Sequence, residues 1–184
     1  MDKKPFKLGI IVGRFQTFHT GHEYMINTAV SICERVAIFV GSSQESGTLK
    51  NPFDYKTRER ILRKLFGSTV DVFPLPDIGV GNTSAWGDYV LKNVAERCGK
   101  APDLLISGKE ARRLDWFDSK KGVQTAELYV PKTIDISATR MREFFINDNF
   151  DEWIKYTNPV LWNDYETLRA AVLGSKDNLE TASL

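Results

Sequence analysis

Two histidines, His19 and His22, stand three residues apart in the segment Gly13-Arg14-Phe15-Gln16-Thr17-Phe18-His19-Thr20-Gly21-His22, and the 184 residues contain no others. On a helix such a pair could be half of a zinc site, but catalytic zinc usually takes three protein ligands and a third histidine is absent. One of the two could instead cap the helix. Phosphate binding uses the whole segment. Gly13 and Gly21 let the backbone approach a ligand without a Cβ in the way, and a helix N-terminus presents free N–H groups and a positive dipole end. Arg14, His19 and His22 add side-chain donors at the same spot.

The elements that must hold these residues are legible on either side. The apolar run over residues 8–12 precedes them and the pattern Tyr24 to Val30 follows, so they form the turn between a first strand and a first helix. That is where α/β folds bind nucleotides. Further strands are expected at 35–41, 70–75, 104–107 and 127–130. Ile61, Leu62, Leu65 and Phe66 give one intervening helix an apolar face, with Asp54 as its N-cap; Val90, Leu91, Val94, Ala95 and Cys98 give another, opened by Ser84. The alternation predicts an α/β fold, a Rossmann-like parallel sheet with helices on both faces and right-handed crossovers. After Ile146 two helices broken by Pro159 are expected to pack back through Trp153, Trp162 and Leu168, with a polar, frayed tail from Gly174 to Leu184. The organisation reads as one domain at 1–146 with a C-terminal helical extension at 147–184.

Composition narrows the partners. With 42% hydrophobic and 27% charged residues the chain suits one globular domain, and a formal net charge of +1 gives no field for nucleic acid or a membrane surface. An anionic ligand must therefore be held by a local cluster. No apolar stretch is long enough to span a bilayer, and no signal-peptide core follows the first residues. Cys33 and Cys98, each within an apolar helical pattern, read as small buried thiols of a reducing compartment, with the cytoplasm as the expected location.

The segment Gly-Arg-Phe-Gln-x-Phe-His-x-Gly-His resembles the signature of the nucleotidylyltransferase superfamily, in the form found in archaeal-type nicotinamide mononucleotide adenylyltransferases. A second signature, Ile136-Ser137-Ala138-Thr139-Arg140-Met141-Arg142, resembles Ile-Ser-x-Thr-x-x-Arg. Two such motifs in order, each at a strand-to-helix transition, are far more specific than either alone. The resemblance covers about residues 6 to 146 and implies adenylyl transfer from ATP to nicotinamide mononucleotide, giving NAD and pyrophosphate. In that reaction a phosphate oxygen attacks the α-phosphorus in line, so the protein supplies positioning and charge stabilisation rather than a nucleophile.

The resemblance assigns catalytic roles to His19, His22 and Arg142. It assigns ATP contacts to Gly13, Arg14, Phe15, Gln16, Gly21, Ser107, Gly108, Ser137 and Thr139, with Arg14 able to neutralise either substrate. Magnesium is expected to ride on the substrate phosphates, with no metal site of protein ligands. Gly41 to Phe53 resembles the family's Gly-Ser-x-Gln-x-Ser-His-x-x-Arg-x-Pro-Phe segment, and Pro76 to Trp86 its nicotinamide-reading loop. Lys50, Phe53, Asp77, Asn82 and Trp86 are thereby the mononucleotide contacts, Trp86 through stacking on the pyridine ring or, alternatively, as a core residue.

Four departures stand out. Gly47 replaces a histidine, Lys50 an arginine, Lys109 an asparagine and Thr17 a proline; lysine keeps the charge at 50 but loses the bidentate fork, and threonine at 17 alters turn stiffness. Arg112 and Arg113 read as a solvated charged face. Another phosphorylated acceptor (nicotinate mononucleotide, phosphopantetheine, an alcohol phosphate) and a non-catalytic nucleotide sensor stay open as alternatives, as does a homo-oligomer.

Overall fold

The computed structural model describes residues 3–81, 83–108, 116 and 125–181. Asn82, Lys109, Arg112 and Arg113 lie outside these residues. The strands are β1 (Phe6–Gly13), β2 (Cys33–Gly41), β3 (Asp71–Leu75), β4 (Leu104–Ser107) and β5 (Ala126–Tyr129). The helices are α1 (Thr20–Ile32), α2 (Tyr55–Phe66), α3 (Ser84–Cys98), α4 (Ala138–Ile146), α5 (Phe150–Trp153) and α6 (Tyr165–Thr181).

All pairings are parallel and the sheet order is β3-β2-β1-β4-β5. Near-continuous apolar strands follow from burial on both faces. Leu8, Ile10, Ala37, Phe39, Leu75 and Leu105 pack on one side with Trp86, Val90 and Val94 of α3. Ile11, Val36, Ile38, Val40, Val72, Leu104 and Ile106 pack on the other with Met25, Ile26 and Ala29 of α1 and Ile61 and Leu62 of α2. Adjacent residues such as Ile10 and Ile11 thus serve opposite layers, as a two-residue period requires. The chain winds outward from β1 to β3, then returns to lay β4 on the other side of β1. A crevice opens above the C-terminal ends of β1 and β4, where the winding reverses.

Local chemistry sets the helix ends. The Asp54 carboxylate caps α2 by accepting from the Thr57 N–H at 2.8 Å, and Arg63 and Lys64 sit in its last turn against the negative dipole end. α3 begins at Ser84 but takes Thr83 as its N-cap, with no side-chain capping bond, and Ala95 lies on its exposed side rather than on the apolar face. Gly87 is required by packing: a Cβ there would run into the main chain of Trp116, whose ring meets Trp86 edge-on at 6.2 Å.

Several expectations are corrected. Cys33 belongs to a strand, opening β2 opposite Phe6; α1 passes into β2 without an intervening turn residue, so nothing in the sequence punctuates the change. Pro159 starts a 3₁₀ turn (Pro159–Asp164) instead of simply breaking a helix, and α6 begins only at Tyr165. In that turn Leu161 is buried, while Trp162 is 38% exposed and donates from Nε1 to the Thr157 carbonyl at 3.4 Å. Trp153, Leu161, Leu168 and Val172 share the α4 side of the core with Phe145. The frayed tail is also revised, because α6 continues past Gly174 to Thr181. Among the described residues no helix is long and apolar enough to cross a membrane.

Candidate active site

A cleft of about 850 Å³ occupies the crevice, toward the upper end of the range for small-molecule sites. The β1–α1 turn lines one wall with Gly13, Arg14, Phe15, Gln16, His19, Gly21 and His22. Ser137 and Arg142 come from the start of α4, and Ser107 and Gly108 from the end of β4. Lys50, Asp77 and Trp86 complete the predicted residues that reach it. Phe53 and Thr139 are not among the lining residues.

His19 takes the capping role that sequence offered as one alternative, and it also lines the cleft. It is the N-cap of α1, its Nδ1 accepting from the Gly21 N–H at 3.1 Å. With Nδ1 occupied as an acceptor, the neutral ring carries its proton on Nε2, which is left as a donor. The rings of His19 and His22 stack at 3.9 Å, and Phe15 and Phe18 flank His22 at 5.2 and 5.5 Å. Burial, followed by the charge of Lys132, pushes the His19 pKa down to about 4. Burial and then the neighbouring His19 hold His22 well below the usual histidine range. Nδ1 of His22 and Oγ1 of Thr20 are buried with no hydrogen-bond partner among the described residues. The pair is therefore neutral at pH 7, and its protonated forms lack the support that an anion would give.

Two arginines face the same space without carboxylate partners among the described residues. Arg142 donates from Nη2 to the Thr139 hydroxyl at 3.1 Å, so Thr139 orients the guanidinium. Burial lowers the Arg142 pKa, and the nearby charge of Arg14 adds to the effect. Arg14 donates to Asn51 Oδ1 at 3.4 Å. Ser137 caps α4, its side chain accepting from the Arg140 N–H at 3.2 Å. Thr17 does more than alter turn stiffness: its hydroxyl donates to the Ala138 carbonyl at 2.9 Å and ties one signature to the other, a bond proline could not make.

On the opposite side, both amide atoms of Gln16 are spent on the main chain of Phe53. Nε2 donates to its carbonyl at 3.1 Å and Oε1 accepts its N–H at 2.9 Å. Phe53 itself is 2% exposed and belongs to the core. The Asp77 carboxylate accepts from Ser42 Oγ at 2.6 Å, and the Asp77 N–H donates to Gln44 Oε1 at 3.0 Å. Trp86 lines the cleft yet is only 8% exposed, filling the α3 layer beside Trp116 and Tyr89. Gly47 has open space around it and φ of +70°.

Sequence reasoning missed Ser42, Tyr24 and Lys132, which also line the cleft. Lys132 could have been found, since Pro131-Lys132-Thr133 follows β5 and the C-terminal ends of parallel strands carry the site. Among the described cleft-lining residues Asp77 is the single acidic one, and no group of three His, Cys, Asp or Glu stands together as metal ligands among the described residues.

Residues 10–144, which hold both signatures and all five strands beyond the start of β1, match the cytidylyltransferase-like family. The chain belongs to that family. Among curated relatives, the nicotinamide-nucleotide adenylyltransferase of Saccharolobus solfataricus is 38% identical over 88 residues, 45% of this chain and 50% of that protein. That of Pyrococcus horikoshii is 40% identical over 87 residues, 45% of this chain and 46% of that protein. The matches thus span about half the length of these relatives. A bifunctional NMN adenylyltransferase/ADP ribose pyrophosphatase from Francisella tularensis, solved with AMP and a manganese ion, superposes with a TM-score of 0.73 at 20% identity, covering 96% of this chain and 54% of that one. At that identity the likeness is one of fold, and the cytidylyltransferase-like chain shares its parallel α/β sheet.

Proposed function

We propose that this protein joins ATP and nicotinamide mononucleotide to form NAD, releasing pyrophosphate. The observation that carries the reading is the convergence of the neutral, stacked His19–His22 pair with the guanidiniums of Arg14 and Arg142, which have no carboxylate partner among the described residues, in one cleft at the reversal of the sheet. Such a wall is built for several phosphates at once. The names of the curated relatives support the choice of acceptor.

In this reading Nε2 of His19, His22 and Arg142 hold the triphosphate. As the mononucleotide phosphate attacks the α-phosphorus, charge gathers on the departing pyrophosphate and these donors meet it without reorganising. Arg14 offsets the repulsion between the two anions, and Lys50 attracts the mononucleotide phosphate as a point charge. Ser107 and Gly108 at the end of β4 line the ATP side, and Asp77 and Trp86 face the nicotinamide riboside. Magnesium arriving with the triphosphate would supply further neutralisation of its charge. The expected location is the cytoplasm.

Purified protein with magnesium, ATP and nicotinamide mononucleotide is expected to yield equal amounts of NAD and pyrophosphate by chromatography and a coupled phosphate assay. Pyrophosphate released only with nicotinate mononucleotide or another phosphorylated acceptor would reject the acceptor and keep the transfer. Tight ATP binding with no pyrophosphate from any acceptor would point to a sensor.

A further inference from the structure

Arg58, on the first turn of α2, is completely buried and takes no part in the chemistry above. A cation removed from water usually needs a carboxylate. Among the described residues Arg58 has none in contact; its acceptors are main-chain carbonyls. Nε donates to Asp54 at 3.2 Å, Nη1 to Arg14 at 3.0 Å and Gly41 at 2.9 Å, and Nη2 to Ser42 at 3.0 Å and Glu45 at 3.4 Å. One guanidinium thus bridges the turn after β1, the turn after β2 and the cap of α2.

Three of those carbonyls, of Arg14, Gly41 and Ser42, belong to or adjoin strained backbone. Phe15, directly after Arg14, has φ of +50°, and Ser42 has φ of +48°. Non-glycine residues there cost energy and persist only where the surroundings over-determine them. Arg14 and Ser42 line the cleft, and Ser42 also holds the Asp77 carboxylate. We propose that Arg58 is a positioning residue for the acceptor half of the site, holding both strained turns so that Arg14, Ser42 and Asp77 meet the acceptor in fixed geometry. The planar fork is what the task demands, because the three donors of a lysine radiate from one nitrogen and cannot span carbonyls from Arg14 to Glu45. The ATP half is set mainly by the caps of α1 and α4, which Arg58 does not touch; the two halves meet at Phe15, whose ring lies 5.2 Å from His22.

The role rests on the proposed reaction only for its kinetic readout, so the test carries a ligand-free measurement as well. Arg58→Lys, Arg58→Met and the surface control Arg60→Met are compared with the unaltered protein by amide hydrogen exchange, thermal melting and substrate titrations. Arg58→Lys is expected to speed exchange at Phe15 and over residues 42–45 by about tenfold or more while the α4 amides keep their protection. It is also expected to lower kcat/KM for the mononucleotide roughly 10- to 100-fold, the scale of a small misplacement, with the KM for ATP much less affected. Should Arg58→Met fail to fold, Arg58→Lys decides. Unchanged exchange in both turns, or a parallel loss for both substrates that simply tracks melting temperature, would overturn the proposal. If the unaltered protein proves to use another acceptor, the exchange result still stands or falls alone.

Discussion

The two halves of the cleft are built differently. The wall of His19, His22 and Arg142 stands on helix starts: His19 caps α1, Ser137 caps α4, and Thr17 bonds the two segments together. The opposite rim, residues 76–81 after β3, is exposed throughout, shows Ile78 and Val80 to solvent, and turns at Gly79 and Gly81 with φ of +76° and +63° and no heavy atom near either would-be Cβ. Phosphate recognition asks for fixed dipoles, which helix ends supply; reading a flat base asks for a surface that can close on it, which a loop supplies. The rigid wall should therefore govern turnover and the loop affinity.

Trp86 is the sharpest place to break this division, because it belongs to the core as well as the cleft. Trp86→Ala is expected to cost about 3–5 kcal/mol of stability, read by denaturant melts, and to weaken both substrates together. A loss confined to mononucleotide affinity, about 1–3 kcal/mol for a missing stacking platform, with the melt unchanged, would move Trp86 wholly to the acceptor rim.

Next in size is the rigid wall. Arg142→Ala or His22→Ala should lower kcat roughly 10²- to 10³-fold, the effect of losing one preorganised donor, with mononucleotide KM little changed in steady-state kinetics. A variant that retains most of its turnover removes that residue from the wall.

The wall also predicts an acid response. An unfolded histidine binds its proton near 6.5, but folded His19 does so only at about 4. Between those values the unfolded chain holds more protons, so stability falls as pH drops through the window and is flat above it. Urea melts from pH 7.5 to 4 test this, and His19→Asn, which keeps a capping side chain, should flatten the slope. A slope unaltered by that change would assign the acid loss elsewhere.

The smallest effect belongs to the loop. Gly79→Ala places a Cβ at positive φ, at a cost of about 1 kcal/mol, and should alter mononucleotide KM a few-fold with kcat preserved. A larger fall in kcat than in affinity would mean that the loop takes part in the rate-limiting step.

What was legible in the sequence was whatever lies close along the chain. The strand runs, Asp54 as a cap and the donors at 19, 22 and 142 each announce themselves within a few residues. Gln16 instead turns to Phe53, Thr17 to Ala138 and Arg58 to Arg14, partners chosen by the folded sheet across 37, 121 and 44 positions. No local pattern marks an arginine for burial when its acceptors are carbonyls. Trp162 misled for a related reason, since a helical period was assumed where a tighter turn puts Leu161 inward.

The position of β1 has a consequence for how the molecule is made. The first strand of the chain is the middle strand of the sheet, and its second neighbour is β4, with Gly9 opposite Leu104. As the chain leaves the ribosome, β1 can pair with β2 early but keeps one apolar edge bare until β4 has emerged. Such an edge can join another nascent chain as readily as its own sequel. Truncations ending before residue 104 should therefore aggregate rather than persist as smaller folded units, and closure of this seam brings together the ends of β1 and β4 that form the floor of the cleft.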